Sequence, residues 1–189
     1  MPSSLPGRAG LAGAPFISAT KSNAQQYTSV LWDEVCAEVA AGYPEIEWRS
    51  MLVDALAALM VLHPERLDVV VASNLFGDIL TDLGGALQGS LGVPASANLN
   101  PERRYPSMFE PVHGSAPDIA GRGVSNPLAT IWAGSMMLEH LGEVEAARLV
   151  MRAMEQVVAQ GETLTPDFGG TATTDQVAGA VIAALGKDA

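Results

Sequence analysis

The sequence predicts an α/β fold in two pieces, and three stretches carry that prediction. LDVVVA (67–72) is a β-branched run bounded by turn residues, and a helical pattern starts right after it at Asn74. Strand, tight turn and helix in that order is the α/β signature. Upstream, a short apolar run at Ile17–Thr20 leads into another helical pattern. Downstream, residues 126–185 hold three helical patterns separated by Gly142 and by TPDFGG (165–170).

Taken in order, residues 1–16 are rich in Pro, Gly and Ser and read as a flexible leader. After the strand at Ile17–Thr20, Ser22 or Asn23 is suited to cap a helix running to about Ala41, with Leu31, Val35 and Val39 on one stripe. Gly42 stops it. Glu45–Arg49 reads as extended, and Leu52–Leu62 as an apolar helix ended by His63-Pro64. The helix from Asn74 carries Leu75, Ile79, Leu83 and Leu87 until glycines accumulate from Gly84. Residues 93–125 form a long functional loop region with short strands at Ser96–Leu99 and around Met108–Glu110. Pro127 opens a helix to about Leu141, Glu143 one to about Gln160, and Thr173 or Thr174 caps a last one to Leu185. The expected organisation is a leader (1–16), a small α/β piece (17–89) and a mainly helical piece (90–189).

Composition narrows the function classes. The 189 residues are 48% hydrophobic and carry a formal net charge of −11. Nucleic-acid and anionic-membrane binders need clustered Lys and Arg, so neither partner is expected. No apolar run reaches the roughly 18–20 residues that span a bilayer. The leader lacks a charged start followed by an apolar segment, so a cytoplasmic location is the expectation. Cys36 is the one cysteine; in a helical pattern it reads as a small buried residue.

Asp78 and Asp82 lie four residues apart, on one face of a helix. Two carboxylates that close repel unless a cation sits between them. Mg²⁺ or Mn²⁺ takes such oxygen ligands. The competing reading is a pair of solvent-facing aspartates. Asp54, in MLVDALAALM, sits at an apolar helix start, where it is either a metal ligand or a helix cap. Lys21, in ATKSN at a strand–helix junction, is either a solvated lysine or a general acid–base group. In EPVHGSAPDIAGRGVSN (110–126), Gly114, Gly121 and Gly123 permit close approach of backbone to a ligand, and Asp118 suits ribose hydroxyls. No G-x-G-x-x-G follows a strand, so this stretch is either an irregular loop or a ligand loop of another kind.

TKSN, VDALAALM, DVVVASNLFGDILTDLGG, SANLNPER and FEPVHGSAPDIAGRGVSNPLATIWAGSMMLEHLG together resemble the β-decarboxylating dehydrogenases. That family includes 3-isopropylmalate, isocitrate, tartrate and D-malate dehydrogenases, and SANLNPER is most similar to the tartrate/D-malate branch. The resemblance runs from about residue 17 to the end. It implies an isocitrate/isopropylmalate dehydrogenase-like fold of which only the C-terminal part is present. It implies that Lys21 is the catalytic lysine, that Asp54, Asp78 and Asp82 bind Mg²⁺ or Mn²⁺, that residues 17–89 carry the family's dimerisation helices, and that Lys21 and Asp54 serve the site of a neighbouring subunit in a homodimer. It assigns Glu110 and the segment His113, Gly114, Ser115, Ala116, Asp118 to Asn126 to NAD, with Asp118 disfavouring a 2′-phosphate. The reaction implied is NAD-linked oxidation of a 2-hydroxy dicarboxylate with decarboxylation, the divalent ion acting as a Lewis acid.

The family's substrate-gripping arginines and catalytic tyrosine belong to the half that is not matched. Apolar surface that normally faces that half is therefore expected after residue 90. Three readings follow: a dehydrogenase chain; a non-catalytic remnant that binds metal or NAD or pairs with an intact paralogue; and an unrelated Mg²⁺ enzyme such as a phosphohydrolase.

Overall fold

The computed structural model describes residues 15–186; the expected leader, apart from its last two residues, lies outside them. The backbone divides into two compact units, one up to Gly84 and one from Gly85.

The first unit contains β1 (Phe16–Thr20), α1 (Thr28–Ala40), β2 (Trp48–Leu52), α2 (Val53–Leu62), β3 (Val70–Val71) and most of α3 (Asn74–Leu87). Its three strands are parallel in the order β2-β1-β3. Parallel neighbours need crossover connections, which α1 and α2 supply. Central β1 is buried from Ile17 to Thr20. Its alternating side chains serve two faces. Ile17 and Ala19 pack in a core with Leu56 of α2 and Leu80 of α3. Ser18 points to α1, where Trp32 Nε1 donates to its Oγ at 2.9 Å and the Oγ lies 3.3 Å from Cys36 Sγ.

Several boundaries differ from expectation. The helix expected from Ser22 or Asn23 starts at Thr28, with no side-chain cap. The Lys21 carbonyl accepts the N–H groups of Ala24 and Gln25 and holds residues 21–27 as turns. The extended stretch expected at Glu45–Arg49 moves to Trp48–Leu52, where five residues pair with β1. The strand expected over Leu67–Ala72 contracts to Val70–Val71, because Leu67 N–H is taken by Pro64 O. The expected stripe of α3 also turns round: Phe76 and Leu80 are buried, whereas Leu75, Ile79 and Leu87 are exposed.

In the second unit β4 (Ala95–Asn98) and β5 (Met108–Pro111) form an antiparallel pair beside α4 (Leu128–Leu141). Helices α5 (Val144–Gln160) and α6 (Thr174–Leu185) complete it around a core of Leu128, Met154, Val157, Val177 and Val181. Gly142 (φ 97°) and Gly161 (φ 69°) close α4 and α5 in the left-handed region that glycine adopts at little cost. Thr173 caps α6: its hydroxyl accepts from Gln176 N–H, and the Gln176 side chain accepts from Thr173 N–H, a capping box. Asp167, in the turn before α6, accepts from Ser90 Oγ and, at 2.9 Å, from Asn126 Nδ2. Burial would raise the Asp167 pKa. Hydrogen bonds from Ser90, Thr165 and Asn126 outweigh it and hold the carboxyl below its ordinary value.

Candidate functional site

The first cluster forms where the three parallel strands end. Thr20 and Leu52 are register partners at the last rung of β1 and β2. Lys21 follows β1 directly, and Asp54 sits in the first turn of α2 directly after β2. The register brings residues 33 apart in sequence together: Lys21 Nζ donates to Asp54 Oδ1 at 2.8 Å. This hydrogen bond lowers the Asp54 pKa, helped by backbone N–H groups of Asp54 and Ala55. Asp54 is not the cap of α2; Leu52 holds that position and makes no side-chain cap. The carboxylate is mainly exposed and the lysine about a quarter exposed. Beneath them, Thr20 Oγ1 is buried without a partner among the described residues.

Asp78 and Asp82 follow β3 on α3, one turn apart and both exposed. Because the strands are parallel, Lys21, Asp54 and Asp78 all lie beyond carboxyl ends of one sheet, where open α/β sheets bind ligands. Among the described residues neither Asp78 nor Asp82 has an ion-pair partner, so both carboxylates are available as hard oxygen donors. Asp54 does not join them: among the described residues no three His, Cys, Asp or Glu side chains come together as a metal site. Within one chain the three aspartates are two separate groups, a free pair and one bound to Lys21.

The second cluster belongs to the other unit. A cavity of about 450 Å³, in the range typical of small-molecule sites, is lined by His113, Gly114, Ser115 and Ala116. Gly121, Gly123 and Ser125 continue its wall. Gly121 (φ 75°) and Gly123 (φ 64°) take the left-handed turns that fold the loop back. Ala116 also has a positive φ, 40°, a local strain on the cavity wall. His113 Nδ1 lies 3.0 Å from Gly114 O. A carbonyl only accepts, so the proton belongs on Nδ1 and Nε2 stays available to a ligand.

Sequence reasoning missed Thr174 and Asp175, which line the same cavity from the start of α6. Thr174 N–H donates to Gly123 O at 2.8 Å, and its hydroxyl to Ser125 O at 2.6 Å. The signal was the Thr-Thr-Asp-Gln cap, legible as a helix start but silent about the loop 49 residues away. Glu110, on β5, and Asp118 are exposed and lie outside the lining. Asn126 is buried, with its amide engaged at both ends, by Asp167 and by Leu128 N–H.

The isocitrate/isopropylmalate dehydrogenase family profile matches residues 9–181. The chain belongs to the isocitrate/isopropylmalate dehydrogenase family. The match starts at residue 9, inside the stretch expected to be a leader. A probable tartrate dehydrogenase/decarboxylase of Agrobacterium vitis is 58% identical over 166 residues, covering 88% of this chain and 46% of the relative. The decarboxylating D-malate dehydrogenase of Escherichia coli K12 is 55% identical over 169 residues, covering 87% and 46%. The crystal structure of isocitrate dehydrogenase from Methylococcus capsulatus superimposes with a TM-score of 0.84 at 43% identity, over 93% of this chain and 51% of that one. The family fold expected from the motifs is therefore present, as its C-terminal part. The chain spans about half the length of the curated relatives it matches. The unrelated Mg²⁺-enzyme reading falls with this match.

Proposed function

We propose that this chain carries the metal-binding and dinucleotide-binding parts of an NAD-linked dehydrogenase that oxidises and decarboxylates a 2-hydroxy dicarboxylate of the tartrate, D-malate or 3-isopropylmalate type. The observation that carries the reading is the Lys21–Asp54 contact at 2.8 Å, at the strand ends that also lead to Asp78.

Lys21 is the proton-handling group, and Asp54 orients its ammonium. Asp78 and Asp82 would hold Mg²⁺ or Mn²⁺, with Asp54 of a neighbouring subunit as the third ligand, which makes the active unit a homodimer. The bound ion supplies Lewis-acid polarisation of substrate oxygens. The loop from His113 to Asn126 binds the adenosine part of NAD, its glycines admitting the ligand to the backbone. Asp118 outside the cavity and Asp175 on its wall both oppose a 2′-phosphate by like charge. A cytoplasmic location belongs to this reading; no helix among the described residues is long and apolar enough to cross a membrane.

A second reading stands beside it: a protein that binds metal or NAD, or pairs with an intact paralogue, without turnover. NADH formation by the purified chain separates the two, with NAD, Mn²⁺ and D-malate, tartrate or 3-isopropylmalate in turn. Turnover that disappears in Asp78→Asn supports the enzyme. Turnover that survives that substitution contradicts the assigned site. Binding of NAD and Mn²⁺ without turnover selects the second reading.

A further inference from the structure

The 113–125 loop that walls the cavity of the second unit has little of its own to hold it. Most of it is exposed, with His113, Ile119 and Val124 partly buried, so packing fixes it weakly. Its internal hydrogen bonds are two backbone turns, Ile119 N–H to Ala116 O and Arg122 N–H to Ile119 O, and the contact of His113 with Gly114 O. Gly114, Gly121 and Gly123 add conformational freedom that a folded loop must give up. Ala116 nevertheless keeps a φ of 40°. A non-glycine residue stays in that region only where its surroundings over-determine it. Those surroundings converge on one residue. Among the described residues, the two hydrogen bonds that tie residues 113–125 to another element both come from Thr174. Its N–H donates to Gly123 O at 2.8 Å, and its hydroxyl donates to Ser125 O at 2.6 Å. Thr174 opens α6 directly after the Thr173 capping box, so the helix sets its position. The first N–H groups of a helix find no acceptor within it; here the loop supplies one.

We propose that Thr174 is a positioning residue for the dinucleotide: its N–H and its hydroxyl grip two loop carbonyls and hold the cavity wall in its binding shape before the ligand arrives. The inference rests on the dinucleotide reading of this loop given above. A loop ordered in advance spares the ligand the entropy of ordering it, and affinity rises accordingly. The Ser125 carbonyl lies on an exposed residue, so water can replace the Thr174 hydroxyl there. Loss of the clamp should therefore be felt in ligand binding far more than in stability.

The test compares the full chain with Thr174→Val, which keeps the shape and removes the hydroxyl, and with Thr174→Ser, which keeps the hydroxyl. Calorimetric titration with NAD should show roughly tenfold weaker binding in Thr174→Val, at the parent's melting temperature, and near-parent binding in Thr174→Ser. The backbone N–H of position 174 reports the clamp without any ligand, because its acceptor is Gly123 O. In the free chain that N–H should exchange with deuterium at least about tenfold faster in Thr174→Val than in Thr174→Ser. Weaker NAD binding with unchanged exchange would make the hydroxyl a direct ligand contact and overturn the positioning role. NAD bound equally tightly by the parent and Thr174→Val would overturn it as well, with the dinucleotide reading intact. A parent chain that binds no NAD would remove the dinucleotide reading itself, and this inference with it.

Discussion

Helix α1 buries one of its 13 residues, Ser29, whereas α5 buries Ala147, Ala153, Met154 and Val157. Both read as helices in sequence. In α5 the apolar stripe meets α4 and α6 and closes a core with Leu128 and Val177. In α1 the expected stripe, Leu31, Val35 and Val39, is exposed. A periodic pattern therefore reports which face requires burial, not whether the covering element is present. Exposed apolar side chains were expected after residue 90 and occur there, Leu91, Leu99, Tyr105 and Met108 among them, and an apolar groove adds such surface in the first unit. The three helices of the second unit cover one another, while among the described residues of the first unit α1 packs on the sheet with most of its own apolar side chains left exposed.

Truncation of the same side chain in the two settings should expose this difference most strongly. Leu128→Ala, at a side chain 1% exposed, should cost about 2–5 kcal/mol in chemical denaturation. Leu31→Ala, at one 61% exposed, should stay within about 0.5 kcal/mol. Equal losses would show that α1 is already covered in solution.

A smaller effect is expected at the polar knot of the second unit. Asp167→Ala removes the acceptor for Ser90 and for the buried Asn126 and should cost about 1–3 kcal/mol. Its folded pKa is depressed, so its stabilisation is complete above the unfolded carboxyl value of about 3.9 and is lost as pH falls through the lower folded value. Denaturation curves across the acidic range should converge for parent and variant; curves that stay parallel would remove Asp167 from the account.

Least change is expected from the exposed pair of the first unit. Lys21→Met should leave stability nearly unchanged, because exposed ion pairs contribute little. It should nevertheless let the Asp54 pKa rise towards the ordinary carboxyl value, as an NMR titration of that carboxyl would read. The contrast between a small stability effect and a clear titration effect is what a functional rather than structural pair should show.

The sequence made the strand–turn–helix order, the helix start at Asn74, the cap at Thr173 or Thr174 and the loop glycines legible, because these rest on local propensity and capping. The Lys21–Asp54 contact was not legible from spacing; it depends on β1 and β2 being register partners. The family motifs pointed to both residues, and the register explains how they meet. The approach of Thr174 and Asp175 to the 113–125 loop was hidden for the same reason, as a long-range backbone contact. The inversion of α3 came from taking the row Leu75, Ile79, Leu83 and Leu87 as the apolar face, whereas Phe76 and Leu80 are the buried pair. Leu75 and Ile79 share the exposed side of the helix with Asp78 and Asp82.

The central claim is that Asp78 and Asp82 are a divalent-metal site rather than a solvated acidic pair. A Mn²⁺ titration followed by electron paramagnetic resonance tests it directly and does not depend on turnover. The account predicts saturable binding that becomes at least about tenfold weaker, roughly 1.4 kcal/mol, in both Asp78→Asn and Asp82→Asn. Mn²⁺ binding of the same strength in the parent chain and both variants would contradict it.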